Sequence, residues 1–135
     1  MAGYFTESNY ENAVLQLLNE ELGYNYIYGP DVERDYHSPL YEDVLLPSLQ
    51  RINKNLPMDA LTEAIYKLKN FETGTLLQKN MVFMDYLQNG VSVKYYDKGE
   101  ERSTLVYLVD FKNPANNEFT VACFVDSIAF LTAKY

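Results

Sequence analysis

The chain has 135 residues, 47% of them hydrophobic, a composition typical of a globular protein that buries a core. Its net charge is −8, and residues 1–50 hold one basic residue against nine acidic ones, which disfavours unaided binding to DNA phosphates. Its one cysteine excludes an internal disulfide, and the lack of an apolar run of roughly 18 residues excludes a membrane helix.

The first predicted element is a helix over residues 8–22. Ser8 and Glu11 fit a capping box, in which the Ser hydroxyl accepts the amide of residue 11 and the Glu carboxylate returns to residue 8. A short aromatic strand is predicted over 24–28, closed by Gly29 and Pro30. Apolar residues recur at helical spacing along the helix, namely Val14, Leu15, Leu18 and Leu22.

Residues 38–89 are predicted to form a helical insert made of several helices. Pro39 and Pro57 each fit the first turn of a helix, where a missing N–H costs nothing. Pro47 falls within an apolar stripe and is expected to kink or restart that helix. The last helical pattern of the insert ends at Gly90.

After the insert the apolar period changes to two, which predicts strands over 91–96, 104–111 and 118–125. The charged segment 97–103 contains a glycine and is predicted to be a hairpin turn. The middle strand is apolar enough to be buried on both faces. This order indicates an α+β (mixed α/β) fold in a single domain over 1–135, with helices packed on one layer of sheet.

The usual catalytic motifs are missing. The sequence contains no phosphate-binding glycine loop and no G-x-S-x-G nucleophile turn. His37, the only histidine, lies in a polar segment and is interpreted as a surface residue. Cys123 lies in an apolar run and is interpreted as a buried, inert thiol. No basic region followed by an apolar stretch opens the chain, so a cytoplasmic protein is predicted.

Carboxylates are plentiful, and metal-assisted phosphodiester cleavage is the chemistry that they could support. It needs two or three acidic groups around Mg²⁺ and a nearby Lys, usually a strand Asp followed by Glu-x-Lys on the next strand. No Glu-x-Lys follows a strand here, and Asp126 and Lys134 would be about 26 Å apart in an extended strand. Asp110, between strand and loop, better suits a turn or cap. No metal or cofactor site is therefore predicted within this chain.

Seven segments resemble the N-terminal region of type I restriction enzyme R subunits, in the family's order and across residues 5–121. The most specific is Val-Asp-Phe-Lys-Asn-Pro-Ala-Asn-Asn-Glu-Phe at 109–119. The others are Phe5-Thr6-Glu7 with Glu11, Leu22-Gly23-Tyr24, Gly29-Pro30-Asp31, residues 41–53, Leu56-Pro57 with Ala60, Ala64 and Leu68, and Asn80 with Phe83 and 87–91.

This resemblance implies a restriction-endonuclease-like, PD-(D/E)xK-type sheet with a helical insert. It also implies Mg²⁺-dependent DNA cleavage coupled to ATP-driven translocation in the intact family enzyme, which assembles with methylation and specificity subunits. Mg²⁺ and ATP belong to that enzyme, and this chain would meet DNA only through the complex.

The resemblance also carries one site residue. Nuclease folds of this class often place a Glu of the first helix near the metal, and Glu11 occupies a matching position. Its alternative role is to close the capping box with Ser8. Beyond Val121 the chain departs from the family before Pro-Asp and Glu-x-Lys. We therefore expect a sheet incomplete at its C-terminal end, from a truncation or frameshift, and a fragment inactive by itself.

Two other functions stay open. The chain could be a non-catalytic interaction module that keeps the nuclease scaffold. Independently of this, the sheet edge left exposed by the missing later strands is expected to favour homo-oligomers. An acidic mimic of DNA is a weaker hypothesis, since such mimics carry denser charge than −8 over this length.

Overall fold

The structure is a computed structural model that describes residues 3, 6–33, 35, 37–38, 40–124 and 127–129, with the backbone alone described at 123, 124 and 127–129. The described residues form an α+β fold, as predicted. In chain order the elements are α1 (Glu7–Gln16), β1 (Asn25–Tyr28), α2 (Glu42–Ile52), α3 (Met58–Lys69), α4 (Leu76–Asn89), β2 (Val91–Asp97), β3 (Glu100–Val106), β4 (Thr120–Phe124) and β5 (Ser127–Ala129).

The chain divides into two compact units. The first unit joins Met1–Glu33 to Glu118–Tyr135, and the second unit is Arg34–Asn117. This division does not test the predicted single domain over 1–135, which stays a prediction. None of the described helices has the length and hydropathy needed to cross a bilayer.

The N-cap of helix α1 lies two residues before the predicted one. Thr6 is the N-cap, in an extended conformation, and its Oγ1 accepts the N–H of Asn9 at 3.2 Å. Ser8 lies inside the helix, so the predicted box between Ser8 and Glu11 is wrong. A π-helical segment, Leu17–Glu21, continues the helix to the predicted end, and Gly23 follows with a φ of +73°.

The first unit contains a three-stranded sheet in the order β1-β4-β5. β1 and β4 are parallel, with Asn25 opposite Thr120, and β4 and β5 are antiparallel. Val121 and Ala122 of β4 are fully buried, and Val32 is 3% exposed. The strand predicted over 118–125 is thus present from 120 to 124, and residue 125 lies outside the described residues.

The second unit packs its helices against the β2–β3 hairpin. One face of α3 carries four buried residues, Ala60, Leu61, Ala64 and Leu68. Because two of them are small alanines, the helix can lie close to the hairpin. Leu49 of α2 closes this core. The buried residues of the cluster are Leu49, Ala60, Leu61, Ala64, Leu68, Val91, Val93 and Val106.

The second hairpin strand differs from its prediction over 104–111, because the turn is shorter than expected. Lys98 and Gly99 both have positive φ, 52° and 83°, and Asp97 pairs with Glu100, which makes a two-residue turn of the type that suits hairpins. The charged residues after the turn therefore join β3, and the strand ends at Val106, opposite the first residue of β2. Val106 is the one buried residue of β3, so burial on both faces is also wrong.

The helical insert is confirmed as α2, α3 and α4, with two differences at its start. α2 begins at Glu42, after a turn in which Ser38 Oγ lies 3.3 Å from Leu40 N, and Pro39 is outside the described residues. α2 also runs without interruption through Pro47. Pro47 and Asp43 are both exposed, so water can replace the helical bond that Pro47 cannot make.

The described strands form two separate sheets, whereas the sequence predicts one layer. The reason is long-range pairing: β1 takes β4 as its neighbour, 95 residues along the chain from Asn25 to Thr120, and β2 pairs only with β3. The alternating pattern of β2 and β3 indicates strands but carries no information about which strand pairs with which.

Candidate functional site

Glu11 lies on the half-buried face of α1. Between residues 7 and 21 the half-buried positions are Glu11, Val14, Leu15 and Leu18, and all others are exposed. Their spacing of three and four residues places them on one side of the helix. Glu11 is the only carboxylate among these half-buried positions.

The structure removes the structural role proposed for Glu11. The N-cap interaction belongs to Thr6 and Asn9, each two residues before the predicted pair. Within the described part of the chain, the Glu11 carboxylate has no hydrogen bond or ion pair. Its oxygens are therefore available to a group from outside these residues.

An open groove of about 440 Å³ lies next to this face, between α1 with its π-helical extension and β1. Three of its polar side chains have partners: Gln16 Nε2 donates to Glu20 Oε2 at 3.0 Å, and Asn19 Nδ2 donates to the Tyr24 carbonyl at 2.7 Å. Glu20 is the only carboxylate among the residues that line the groove. No group of three or more potential metal ligands occurs among the described residues.

Asp110 organises the loop after β3. Its Oδ1 accepts the backbone N–H of Lys112 at 3.0 Å and of Asn113 at 2.9 Å, and its Oδ2 accepts Asn116 Nδ2 at 3.0 Å. Asn117 closes the loop, since its Oδ1 accepts the N–H of Asp110 and its Nδ2 donates to the Asp110 carbonyl. The predicted turn role of Asp110 is confirmed.

Asp110 should make the loop sensitive to acid. Donation by Asn116, then by the N–H groups of Asn113 and Lys112, holds the Asp110 pKa below its usual value of 3.8. Because the folded pKa is lowered, this contribution to stability is complete above pH 3.8 and is lost as pH falls through the folded pKa. Asp110→Asn should therefore be less stable than the wild type near pH 7, and the difference should shrink near pH 3. Urea unfolding at both pH values measures this, and a difference independent of pH would contradict it.

The remaining residues considered from the sequence do not join a site. His37 is exposed, and its N–H donates to Asp35 Oδ1 at 2.9 Å, as a surface loop residue would. Asp126 and Lys134 lie outside the described residues, as does the side chain of Cys123. Glu11 belongs to the first unit and Asp110 to the second.

A family model described as the type I restriction enzyme R protein N terminus matches this chain over residues 4–126. The chain belongs to this family. The predicted resemblance is thus confirmed over most of the chain, including the helical insert and the Asp110 loop. No solved structure matches this R protein N-terminal chain.

Two curated relatives of this chain are described as endonuclease subunits. One is the type I restriction enzyme HindI endonuclease subunit of Haemophilus influenzae, 30% identical over 84% of this chain. Another, from Methanocaldococcus jannaschii, is described as a type I restriction enzyme MjaIXP endonuclease subunit and is 30% identical over 83% of this chain. The matched region is 11% of the length of each relative, so most of their polypeptide has no counterpart here.

The sequence analysis missed a buried polar residue of the second unit, Asn53. Asn53 is 7% exposed. Its side-chain Nδ2 donates to the Tyr107 carbonyl and its Oδ1 accepts the Tyr107 N–H, which are the two bonds that a neighbouring β-strand would make. The available signal was an Asn between two helical apolar runs. Its partner lies 54 residues away, beyond the reach of any local pattern.

Proposed function

We propose that this chain is the N-terminal, nuclease-domain segment of a type I restriction endonuclease R subunit. The family match over residues 4–126 supports this assignment, together with relatives described as endonuclease subunits. On this proposal the fold is of the PD-(D/E)xK type, and the segment acts in the cytoplasm within an assembly of methylation and specificity subunits. The intact enzyme then supplies ATP-driven translocation and the contact with DNA.

Glu11 is the proposed catalytic residue of this segment. Its carboxylate lies on the half-buried stripe of α1 and has no partner among the described residues. Carboxylate oxygens are the ligands that Mg²⁺ prefers, and Mg²⁺ would stabilise the charge that develops at the attacked phosphate. The described residues contain no cluster of three or more potential ligands, so they do not fit a complete Mg²⁺ site. We therefore propose that the chain does not cut DNA by itself.

The inactivity of the isolated chain can be measured directly. Purified protein is incubated with supercoiled plasmid and Mg²⁺ or Mn²⁺, with and without ATP. We expect no nicking above a protein-free control and no ATP hydrolysis. Metal-dependent nicking by wild-type protein that disappears in Glu11→Gln would show that the chain holds a working centre and would contradict the proposal.

The role of Glu11 is best measured in a complete enzyme. This chain replaces the matched region of the Haemophilus influenzae R subunit, and the chimera is assembled with that enzyme's other subunits. Glu11→Gln should lower cleavage about 100-fold or more, the loss typical of removing a group that contacts the reacting atoms. DNA-stimulated ATP hydrolysis should be unchanged.

Glu7 provides the matched control in the same helix. It lies one turn before Glu11 and is exposed, whereas Glu11 is half-buried. Glu7→Gln should leave both cleavage and ATP hydrolysis unchanged. Equal loss of cleavage in both variants would contradict a specific role for Glu11.

A non-catalytic interaction module is the second candidate function, favoured by large apolar side chains that remain exposed. Tyr10 is 63% exposed, Met81 64% and Phe111 67%. Apolar exposure of this size is typical of surfaces that contact another protein. A stoichiometric complex of the purified chain with purified methylation and specificity subunits would support this function, and its absence at tens of micromolar would count against it.

A further inference from the structure

Helix α4 has a second apolar face that its own unit does not cover. Phe83 and Tyr86 pack against the core of the second unit. Leu77, Met81, Met84 and Gln88 form another line along the helix, which we name the outer stripe. Leu77 is 70% exposed, Met81 64% and Met84 47%.

The outer stripe leads into a cavity at the C-terminal end of α4. This cavity has a volume of about 290 Å³ and a mostly apolar lining with one charge of each sign at its edge; it is lined by Ile52, Gln88, Tyr107, Val109, Asp110, Phe111 and Lys112. Phe111 is 67% exposed and Tyr107 49%, so aromatic surface is open to solvent beside it. The same helix thus carries an exposed leucine, Leu77, near one end and an apolar cavity at the other.

The outer stripe is complementary to itself. Its residues follow one another at intervals of four, three and four, and this order is the same in either direction along the helix. Two antiparallel copies of α4, related by a two-fold axis, therefore place Leu77 opposite Gln88 and Met81 opposite Met84. The same arrangement brings the Leu77 of each copy to the cavity of the other.

We propose that this chain forms a homodimer through the outer stripe of α4, with each Leu77 seated at the partner's cavity. The stripe itself carries no charge, while the acidic excess of the chain lies in residues 1–50. Two copies can approach at α4 without opposing like charges on the stripe. Leu76 is 77% exposed and Phe111 67%, so they extend the exposed apolar surface beside the two ends of the stripe.

A charge placed on the outer stripe tests the surface. We expect wild-type protein to dimerise at tens of micromolar in sedimentation equilibrium. Met84→Glu should raise the dimer dissociation constant about 100-fold, because each new carboxylate would be buried against the partner's Met81. Met58→Glu is the matched control, since Met58 lies on α3 and is also 47% exposed. It should leave the dimer intact.

Several results would overturn the proposal. One is a wild-type chain that stays monomeric at hundreds of micromolar. Another is a dimer that Met84→Glu leaves intact, which would point to the sheet edge expected from the sequence. Circular dichroism spectra of both variants must match the wild type, and a folded Met84→Glu monomer supports the proposal.

Disulfide trapping tests the orientation even if the charged variant fails to fold. In a Cys123→Ala background, chains with Leu77→Cys are mixed with chains carrying Gln88→Cys and oxidised. Antiparallel pairing predicts a heterodisulfide in the mixture and none from Leu77→Cys alone, because the two copies of position 77 lie about 16 Å apart along the helices. Crosslinking of Leu77→Cys to itself would indicate parallel pairing, and no crosslink in any mixture would exclude the interface. Either result would overturn the proposal.

Discussion

Replacing Asn53 with Ala is expected to lower the free energy of unfolding of the second unit by about 3 kcal/mol. The Asn53 amide makes three hydrogen bonds of 2.9 Å: its Nδ2 donates to the carbonyls of Leu49 and Tyr107, and its Oδ1 accepts the Tyr107 N–H. The alanine variant leaves both backbone groups of Tyr107 without these partners in a partly buried place. An unpaired buried polar group costs about 1–3 kcal/mol, so the effect is large for a single side chain.

The measurement is urea unfolding followed by far-UV circular dichroism, with Asn55→Ala as control. Asn55 is the same residue type, two positions later, and is exposed in the turn between α2 and α3. It should change the unfolding free energy by less than about 0.5 kcal/mol. Similar shifts for the two variants would mean that the bonds to Tyr107 contribute little.

Asn53 matters beyond its own bonds because it joins α2 to the segment that follows β3. Arg51, two residues earlier, donates from Nε to the Asn116 carbonyl at 2.6 Å. The end of α2 therefore holds both ends of the Asp110 loop, at Tyr107 and at Asn116. Loss of Asn53 should also loosen the cavity wall that Tyr107 forms, and so weaken the proposed dimer.

The helices of the second unit could be predicted from the sequence because their signals are local. Leu61, Ala64 and Leu68 recur at the spacing of one helical face, and Pro57 marks where that helix begins. Such patterns depend on a few neighbouring residues, and the structure places α3 where they indicate. The family resemblance indicates the same insert, partly from the same residues.

The prediction of the N-cap of α1 was wrong because two neighbouring residues can both act as a cap. At α1 the Glu three residues after Ser8 predicts Ser8 as the N-cap, whereas Thr6 is the same class of N-cap residue. The structure selects Thr6, which leaves Glu11 in the middle of the half-buried stripe. The position of Glu11 on a helix was therefore predictable, but its separation from the cap was not.

Long-range partners were the second cause of failure. The pairing of β1 with β4, and of Asn53 with Tyr107, joins segments that are distant in sequence. Nothing in either segment alone specifies the other, because an alternating strand or a lone Asn can pair with many partners. This is why the sequence predicts one layer of sheet and why it does not reveal the role of Asn53.

Replacing Gly90 with Ala is expected to destabilise the second unit by about 3 kcal/mol, for two separate physical reasons. Gly90 ends α4 with φ +88° and ψ 169°, a region that is essentially restricted to glycine and costs other residues about 1–3 kcal/mol. A Cβ at this position would also lie 3.1 Å from the Val106 carbonyl oxygen and 3.3 Å from Tyr107 Cδ1. The backbone oxygen belongs to a paired strand and cannot move aside easily.

Gly99→Ala is the control that measures the cost of a positive φ without an added contact. Gly99 also has a positive φ, 83°, but an added Cβ there would meet nothing within 4 Å. We expect this variant to lose about 1 kcal/mol in urea unfolding, the conformational cost alone. The excess loss in Gly90→Ala then measures the contact with Val106 and Tyr107 together with the stricter backbone conformation. Equal losses of unfolding free energy in the two variants would mean that the C-terminal end of α4 moves to accommodate the added methyl group. The contact with Val106 and Tyr107 would then cost nothing measurable.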